Sequence, residues 1–168
     1  MDAVSVRRLF SFPNPVNEKA AQVVAAVVLL AALTTLASSW YWLLIPLAYG
    51  FWARVLTGPK LSPLGWAAQN LIAPRLGAKR PVPGPPKRFA QGIGAVMSTV
   101  ALVLALAVSR AAADGVLGAL VLAAGLESIF GYCLGCKVFG LLMRSGLVPQ
   151  AVCAECADIS ARLDVTAG

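Results

Sequence analysis

The chain has 168 residues, of which 59% are hydrophobic and only 12% charged, with a mean hydropathy of +0.79. That leaves too little polar surface to coat a water-soluble domain, so a lipid bilayer is the solvent that fits, and the apolar runs leave no room for a separate soluble catalytic domain. The net charge of +7 resides in basic residues placed between apolar runs rather than in an aromatic-interleaved patch, which argues against a nucleic-acid partner and makes those residues topology signals.

The first run, Ala20 to Ala37, is uncharged and dense in Val, Leu and Ala. It approaches the roughly 20 residues that cross about 30 Å of hydrocarbon. Asn17 before Glu18 predicts an N-cap with an acid in the first turn, and Pro13 and Pro15 keep the approach extended. The second run, Trp40 to Leu56, follows after only Ser38 and Ser39, which predicts a tight antiparallel hairpin with Trp40, Tyr41 and Trp42 at one interface as an aromatic belt. The competing reading of the first run is a secretory signal peptide, since Arg7, Arg8 and Lys19 precede it and small residues follow near Ala37. Cleavage there would leave a chain starting directly inside the second apolar run.

From Thr57 to Arg88 prolines and glycines break any long helix, and a short piece near Leu64 to Ala73 is expected to lie in the interface. This stretch carries Lys60, Arg75, Lys79, Arg80, Lys87 and Arg88 and no acid, so the positive-inside rule puts it in the cytoplasm, where it also attracts anionic headgroups. The third run is Phe89 to Ser109. Arg110 and Asp114 then mark a turn before the fourth opens at Gly115 and reads on to about Arg144, longer than a bilayer needs, so a break is expected near Gly131 or Gly135. Gly115, Ala119 and Ala123 recur every four residues, a small-residue face suited to helix contact, although an Ala-rich chain produces such a pattern unaided.

These elements predict an all-α fold, a four-helix transmembrane bundle with short interfacial helices, in a single integral membrane domain over residues 1–168. The spans are about 20–37, 40–57, 89–109 and 115–135, with a cytoplasmic loop 58–88 and a cytoplasmic tail 144–168. Of the basic residues only Arg110 would lie outside, which predicts that both termini are cytoplasmic.

The four cysteines fall in two CxxC pairs, Cys133 with Cys136 and Cys153 with Cys156, separated by sixteen residues. A dithiol of this spacing that opens a helix places one sulfur where backbone N–H groups and the helix dipole favour a thiolate, which is the chemistry of thiol–disulfide exchange or sulfur transfer. The same spacing fits a four-thiolate zinc site in a non-enzymatic scaffold. Glu127 is the other outlier. Counted from Gly115 it lies about 18 Å deep, and Arg54, counted from Trp40, about 21 Å, so the two are expected to pair across the bundle. A proton-handling Glu127 in a small transporter is the alternative. With no His in the chain, the commonest general base and metal ligand is missing.

The stretches FPNPVNEKAA (Phe12 to Ala21), LAYGFWARVLTGPKLSPLG (Leu47 to Gly65), PGPPKRFAQGIG (Pro83 to Gly94), FGYCLGC (Phe130 to Cys136) and the closing CAEC together resemble an uncharacterised bacterial membrane family, domain of unknown function four-three-nine-five. The resemblance covers nearly the whole chain and implies a polytopic protein of the bacterial inner membrane, leaving the activity open. A weaker analogy is to quinone-linked disulfide oxidases, four-helix bundles with a CxxC beside a quinone. This chain departs from them in having both pairs on the cytoplasmic side by the charge rule. The leading expectation is therefore a membrane-bound thiol–disulfide or sulfur-relay protein, in which Cys153 and Cys156 exchange with a thioredoxin-like or sulfurtransferase partner and pass reducing equivalents or sulfur to Cys133 and Cys136.

Overall fold

The computed structural model describes residues 12–149 and Val152, and it is built almost wholly of helix. Strand β1 (Val16–Asn17) leads into helix α1 (Glu18–Ser38). Asn17 is the N-cap, its side-chain oxygen accepting the Lys19 N–H at 3.2 Å, with Glu18 in the first turn where the helix dipole favours an acid. Ser39, in the left-handed region at φ 54°, ends the helix, and a single 3-10 turn (Tyr41–Leu43) starts the return through α2 (Leu44–Thr57).

Helix α3 (Pro63–Ala67), capped by Ser62, runs through one π-helical turn (Ala68–Ile72) into a 3-10 turn (Ala73–Leu76), the short helical piece expected in the long loop. Trp66, Leu71, Ile72 and Leu76 on it are exposed. The Lys19 ammonium donates to the Leu76 carbonyl and ties this piece to the foot of α1. Strand β2 (Pro81–Val82) pairs antiparallel with β1, Val16 opposite Val82.

Helix α4 (Gly84–Ala107) begins five residues before the expected third span, because Pro85 and Pro86 occupy its first turn, where a missing N–H costs nothing. Helix α5 (Arg110–Phe130) likewise starts five residues before Gly115, at a Ser109 N-cap. Gly131, at φ 68°, ends it, and α6 (Leu134–Arg144) follows, so the break expected near Gly131 or Gly135 falls at Gly131. Among the described residues three helices, α1, α4 and α5, are long and apolar enough to cross a membrane, and the chain is on that ground a membrane protein. Helix α2, with 14 residues, is shorter.

Packing does not follow chain order. Helix α1 rests mainly on α5, α5 on α4, and α4 on α2 and α6, whereas the consecutive helices α1 and α2 touch only lightly. The core is dominated by small side chains, Ala32, Ala95, Ala101 and Ala113 being fully enclosed around Leu44 and Leu117, which lets backbones approach closely as membrane interfaces do. The small-residue face on α5 is not the one expected. Its buried line is Ala113, Leu117, Leu120 and Ala124, while Gly115 and Ala119 face outward with open space over Gly115. Outward-facing Leu30, Val96, Val103, Leu106, Leu122 and Ile129 form the apolar surface that lipid would cover.

The helices alternate in direction, so Ser38 to Trp40 and Val108 to Arg110 gather at one end and all other connections at the opposite end. At the first end Tyr41 departs from the aromatic belt: Trp40 and Trp42 are exposed, but Tyr41 is buried, its hydroxyl donating to Asp114 at 2.8 Å with Arg110 over its ring. Gly94 lies directly beneath the Phe51 ring, and a Cβ there would overlap it. Replacing Gly94 with Ala is therefore expected to destabilise the α2–α4 contact by about 1–3 kcal/mol, the usual cost of overpacking, read as a lower unfolding midpoint in detergent; an unchanged midpoint would show that α2 is not docked this way.

Candidate functional site

Three charged residues lie at one level of the opposite end. Lys87 is three residues into α4, Glu127 three residues before the end of α5, and Arg54 three before the end of α2, each within about one helical turn of its terminus. The antiparallel packing brings them together. Lys87 Nζ donates to Glu127 Oε1 at 2.7 Å, with the two side chains only 8% and 17% exposed.

The ion-pair partner of Glu127 in the structure is thus Lys87, not the Arg54 expected from depth counting. The depth count started α5 at Gly115 and so pushed Glu127 toward the bilayer middle, whereas the helix runs Arg110–Phe130 and leaves Glu127 near its end. The sequence places Lys87 in a headgroup-facing loop, but the early start of α4 carries it into the bundle. Arg88, its neighbour, donates to the Val55 carbonyl at 2.9 Å and stacks over Phe12.

The first CxxC pair stands directly after this ion pair. Gly131 N–H donates to the Glu127 carbonyl at 3.0 Å and Tyr132 N–H to that of Leu126 at 3.1 Å, a helix end closed by a left-handed residue. A side chain at Gly131 would come within 2.9 Å of Gln22 Nε2, so glycine serves both the backbone angle and the close approach to α1. The chain then turns at Tyr132, and Cys133 takes the N-cap position of α6 with extended dihedrals. Gly135, in the first turn, sits against Ala90 of α4, where a Cβ would come within 2.5 Å, and Phe139 packs on Phe89 with ring centroids 5.6 Å apart. Helix α6 is pinned along α4 by these two contacts.

Cys133 is buried and Cys136 half-buried, with Cys136 Sγ donating to Cys133 Sγ at 2.7 Å. Cys133 is held below the ordinary thiol range, chiefly by that hydrogen bond, with the Lys87 charge adding to it and burial and the Glu127 charge opposing it. Cys136, which gives up its proton last, is pushed far up by the same bond and by burial. The two thiols are therefore unequal, Cys133 giving up its proton more readily than Cys136.

Both line an open cleft of about 820 Å³ together with Lys87, Lys137, Arg144 and Glu18. Lys137 lies 5.3 Å from the centroid of the Tyr132 ring. Three cations against one carboxylate make the cleft electropositive, a setting that favours thiolates and draws anionic or acidic molecules. In the sequence alone Lys87, Lys137 and Arg144 read as topology signals. The signal that could have found Lys87 is the Pro-Pro step at 85–86, which starts a helix rather than breaking one. The second pair, Cys153 and Cys156, lies outside the described residues. Val152, just before it, borders a groove formed with Phe89 and Phe139 on α4 and α6.

The model of the family described as Domain of unknown function (DUF4395) matches residues 16–144. The chain belongs to this family. The match takes in Arg54, Lys87, Glu127, Cys133 and Cys136 and ends before the second CxxC pair. No curated protein and no solved structure matches the chain.

The asymmetry of the pair is measurable. Thiolate fraction at a given pH rises as the pKa falls, so alkylation of Cys133 should reach half its maximal rate at lower pH than a free cysteine, with Cys136 unreactive. Cys136→Ala removes the donor and should move the Cys133 midpoint upward and slow its alkylation at pH 7. Cys136→Ser keeps a donor and should shift it less. Equal rates at the two cysteines would contradict the assignment.

Proposed function

We propose that the chain is a membrane-bound thiol–disulfide or sulfur-relay protein of the inner membrane, with four spans, both termini cytoplasmic, and Cys133 as the attacking thiol. The observation that carries this reading is Cys133 at the N-cap of α6, accepting the Cys136 thiol hydrogen bond in a cleft with Lys87, Lys137 and Arg144. In support of the fourth span, α2 with its preceding 3-10 turn runs Tyr41–Thr57 between the two ends of the bundle and packs on α4 along its length. In support of the orientation, Lys60, Arg75, Lys79 and Arg80 lie in the connections at the thiol end, and Arg110 alone among the described basic residues lies at the other.

The exchange runs as two successive dithiol steps. The Cys133 thiolate attacks a protein disulfide, forming a mixed disulfide and expelling one of that protein's sulfurs as a thiolate. Cys136 then loses its proton to that thiolate and attacks the Cys133 sulfur, closing the Cys133–Cys136 disulfide and releasing the protein's second sulfur as a thiolate. Two electrons and one proton pass to the protein. The tail dithiol, Cys153 and Cys156, returns the first pair to its reduced form by the same exchange, and its own disulfide is then reduced by the dithiol of a soluble thioredoxin-like partner. In the sulfur-relay form, Cys133 instead accepts the outer sulfur of a sulfurtransferase persulfide, and the donor leaves as a thiolate.

A Cys136→Ser variant should accumulate a mixed disulfide at Cys133, because the resolving thiol is gone, visible as a species lost on reduction and assigned by mass. Metal content of the reduced wild-type protein separates the alternative. A four-thiolate zinc scaffold requires about one zinc per chain, lost on changing any one cysteine. Absence of any trapped species together with one bound zinc would replace the exchange reading by the scaffold.

A further inference from the structure

Arg54 is buried to 5% exposure, and its charge has no carboxylate at bonding distance among the described residues. Its Nε donates to Gln91 Oε1 at 2.9 Å and its Nη1 to Ser62 Oγ at 3.3 Å, while the guanidinium carbon sits 4.7 Å from the centroid of the Phe51 ring. All three partners are neutral. Nη2, also buried, has no acceptor among the described residues. Glu127 acts on Arg54 only through space, its carboxylate being engaged by Lys87. Two cations and one carboxylate are therefore enclosed together, and an uncompensated buried charge is costly enough that native structures supply a counter-charge.

Beside Arg54 lies a narrow cavity of about 60 Å³, lined by Arg54, Lys87, Gln69 and Gln91 among apolar residues such as Val24 and Pro13. Among the described residues no carboxylate is on its wall. A guanidinium with a free N–H, an ammonium and two amides form a donor-rich set around a space that holds a few water-sized particles, by the measure in which one water needs roughly 10–15 Å³. Water in the cavity would satisfy the N–H and leave the charge. A small anion would satisfy both. The space is of a size for a small inorganic anion.

We propose that Arg54, with Gln69, Gln91 and Lys87, binds a small monovalent inorganic anion of the halide class in this cavity, as the counter-ion of the buried guanidinium. The site is independent of the thiol chemistry: it is formed by α2, α4 and the π-helical turn, and stands whether or not Cys133 exchanges disulfides.

The test uses the full chain purified in detergent in a gluconate buffer, with bromide added at constant ionic strength as the probe. Thermal unfolding should rise with bromide and saturate, since a ligand of the folded state alone stabilises it in that form. Arg54→Gln, which removes both the charge and its need for a counter-ion, should abolish the rise, and crystals grown in bromide should give an anomalous peak beside Nη2. Should Arg54→Gln fail to fold, Gln69→Leu decides, with an expected loss of at least tenfold in apparent bromide affinity. No bromide dependence in the wild type, a non-saturating dependence shared by Arg54→Gln, or unchanged affinity in Gln69→Leu would each overturn the proposal and leave the cavity to water.

Discussion

The salt bridge between Lys87 and Glu127 fixes how the thiol end of the bundle is assembled. An ammonium and a carboxylate this far from solvent are each unfavourable alone, and removing one partner of such a pair typically costs about 3–5 kcal/mol. The pair meets only if α4 and α5 run antiparallel with their ends in register. Once it does, Gly131 and Tyr132 close α5 immediately beyond Glu127, and α6 is delivered onto the first turns of α4. Cys133 then stands over Lys87, whose charge favours its thiolate, while Glu127 opposes it. The same two residues that hold the helices in register thus act in opposite directions on Cys133, whose difference from Cys136 comes chiefly from the hydrogen bond between the two sulfurs.

The bundle's periphery was readable because hydrophobic length is a coarse and robust signal. The Asn17 cap, the break at Gly131 and the helical piece in the long loop all followed from residue types with strong local preferences. Depth was not readable, because it depends on where a helix begins. Pro85 and Pro86 look like breakers but start α4, and Ser109 caps α5 a turn before the apolar run does. Both shifts move charges: they put Lys87 inside and bring Glu127 to the same level near the helix end. With those starts misplaced, Arg54 was the only cation left at a plausible depth. Likewise the small-residue repeat from Gly115 was legible as a pattern, but which face of α5 meets its neighbours is decided by the packing partner, and the line through Ala113 and Leu117 was chosen.

The three charges at this level divide the work. Lys87 and Glu127 are joined directly and border the dithiol, whereas Arg54 is held by neutral groups from α3's cap and α4 and crosses the face of Gly50, to which a side chain would bring contact with its Nη1. That separation explains why the cleft and the small cavity are distinct chambers sharing one residue, Lys87. It also means that a change at Arg54 and a change at Glu127 disturb different things, one the balance of buried charge and the other the register of α4 on α5.

The most direct test of this account is a double-mutant cycle on the unfolding free energy in a lipid-like detergent, using Lys87→Met, Glu127→Gln and the double variant. If the ion pair sets the register, each single change leaves a buried group unpartnered and is strongly destabilising, while the double variant recovers much of the loss, giving a coupling of about 1–3 kcal/mol. Strict additivity of the two single changes would show that Lys87 and Glu127 do not act as a pair, and the assembly of the thiol end around them would have to be abandoned.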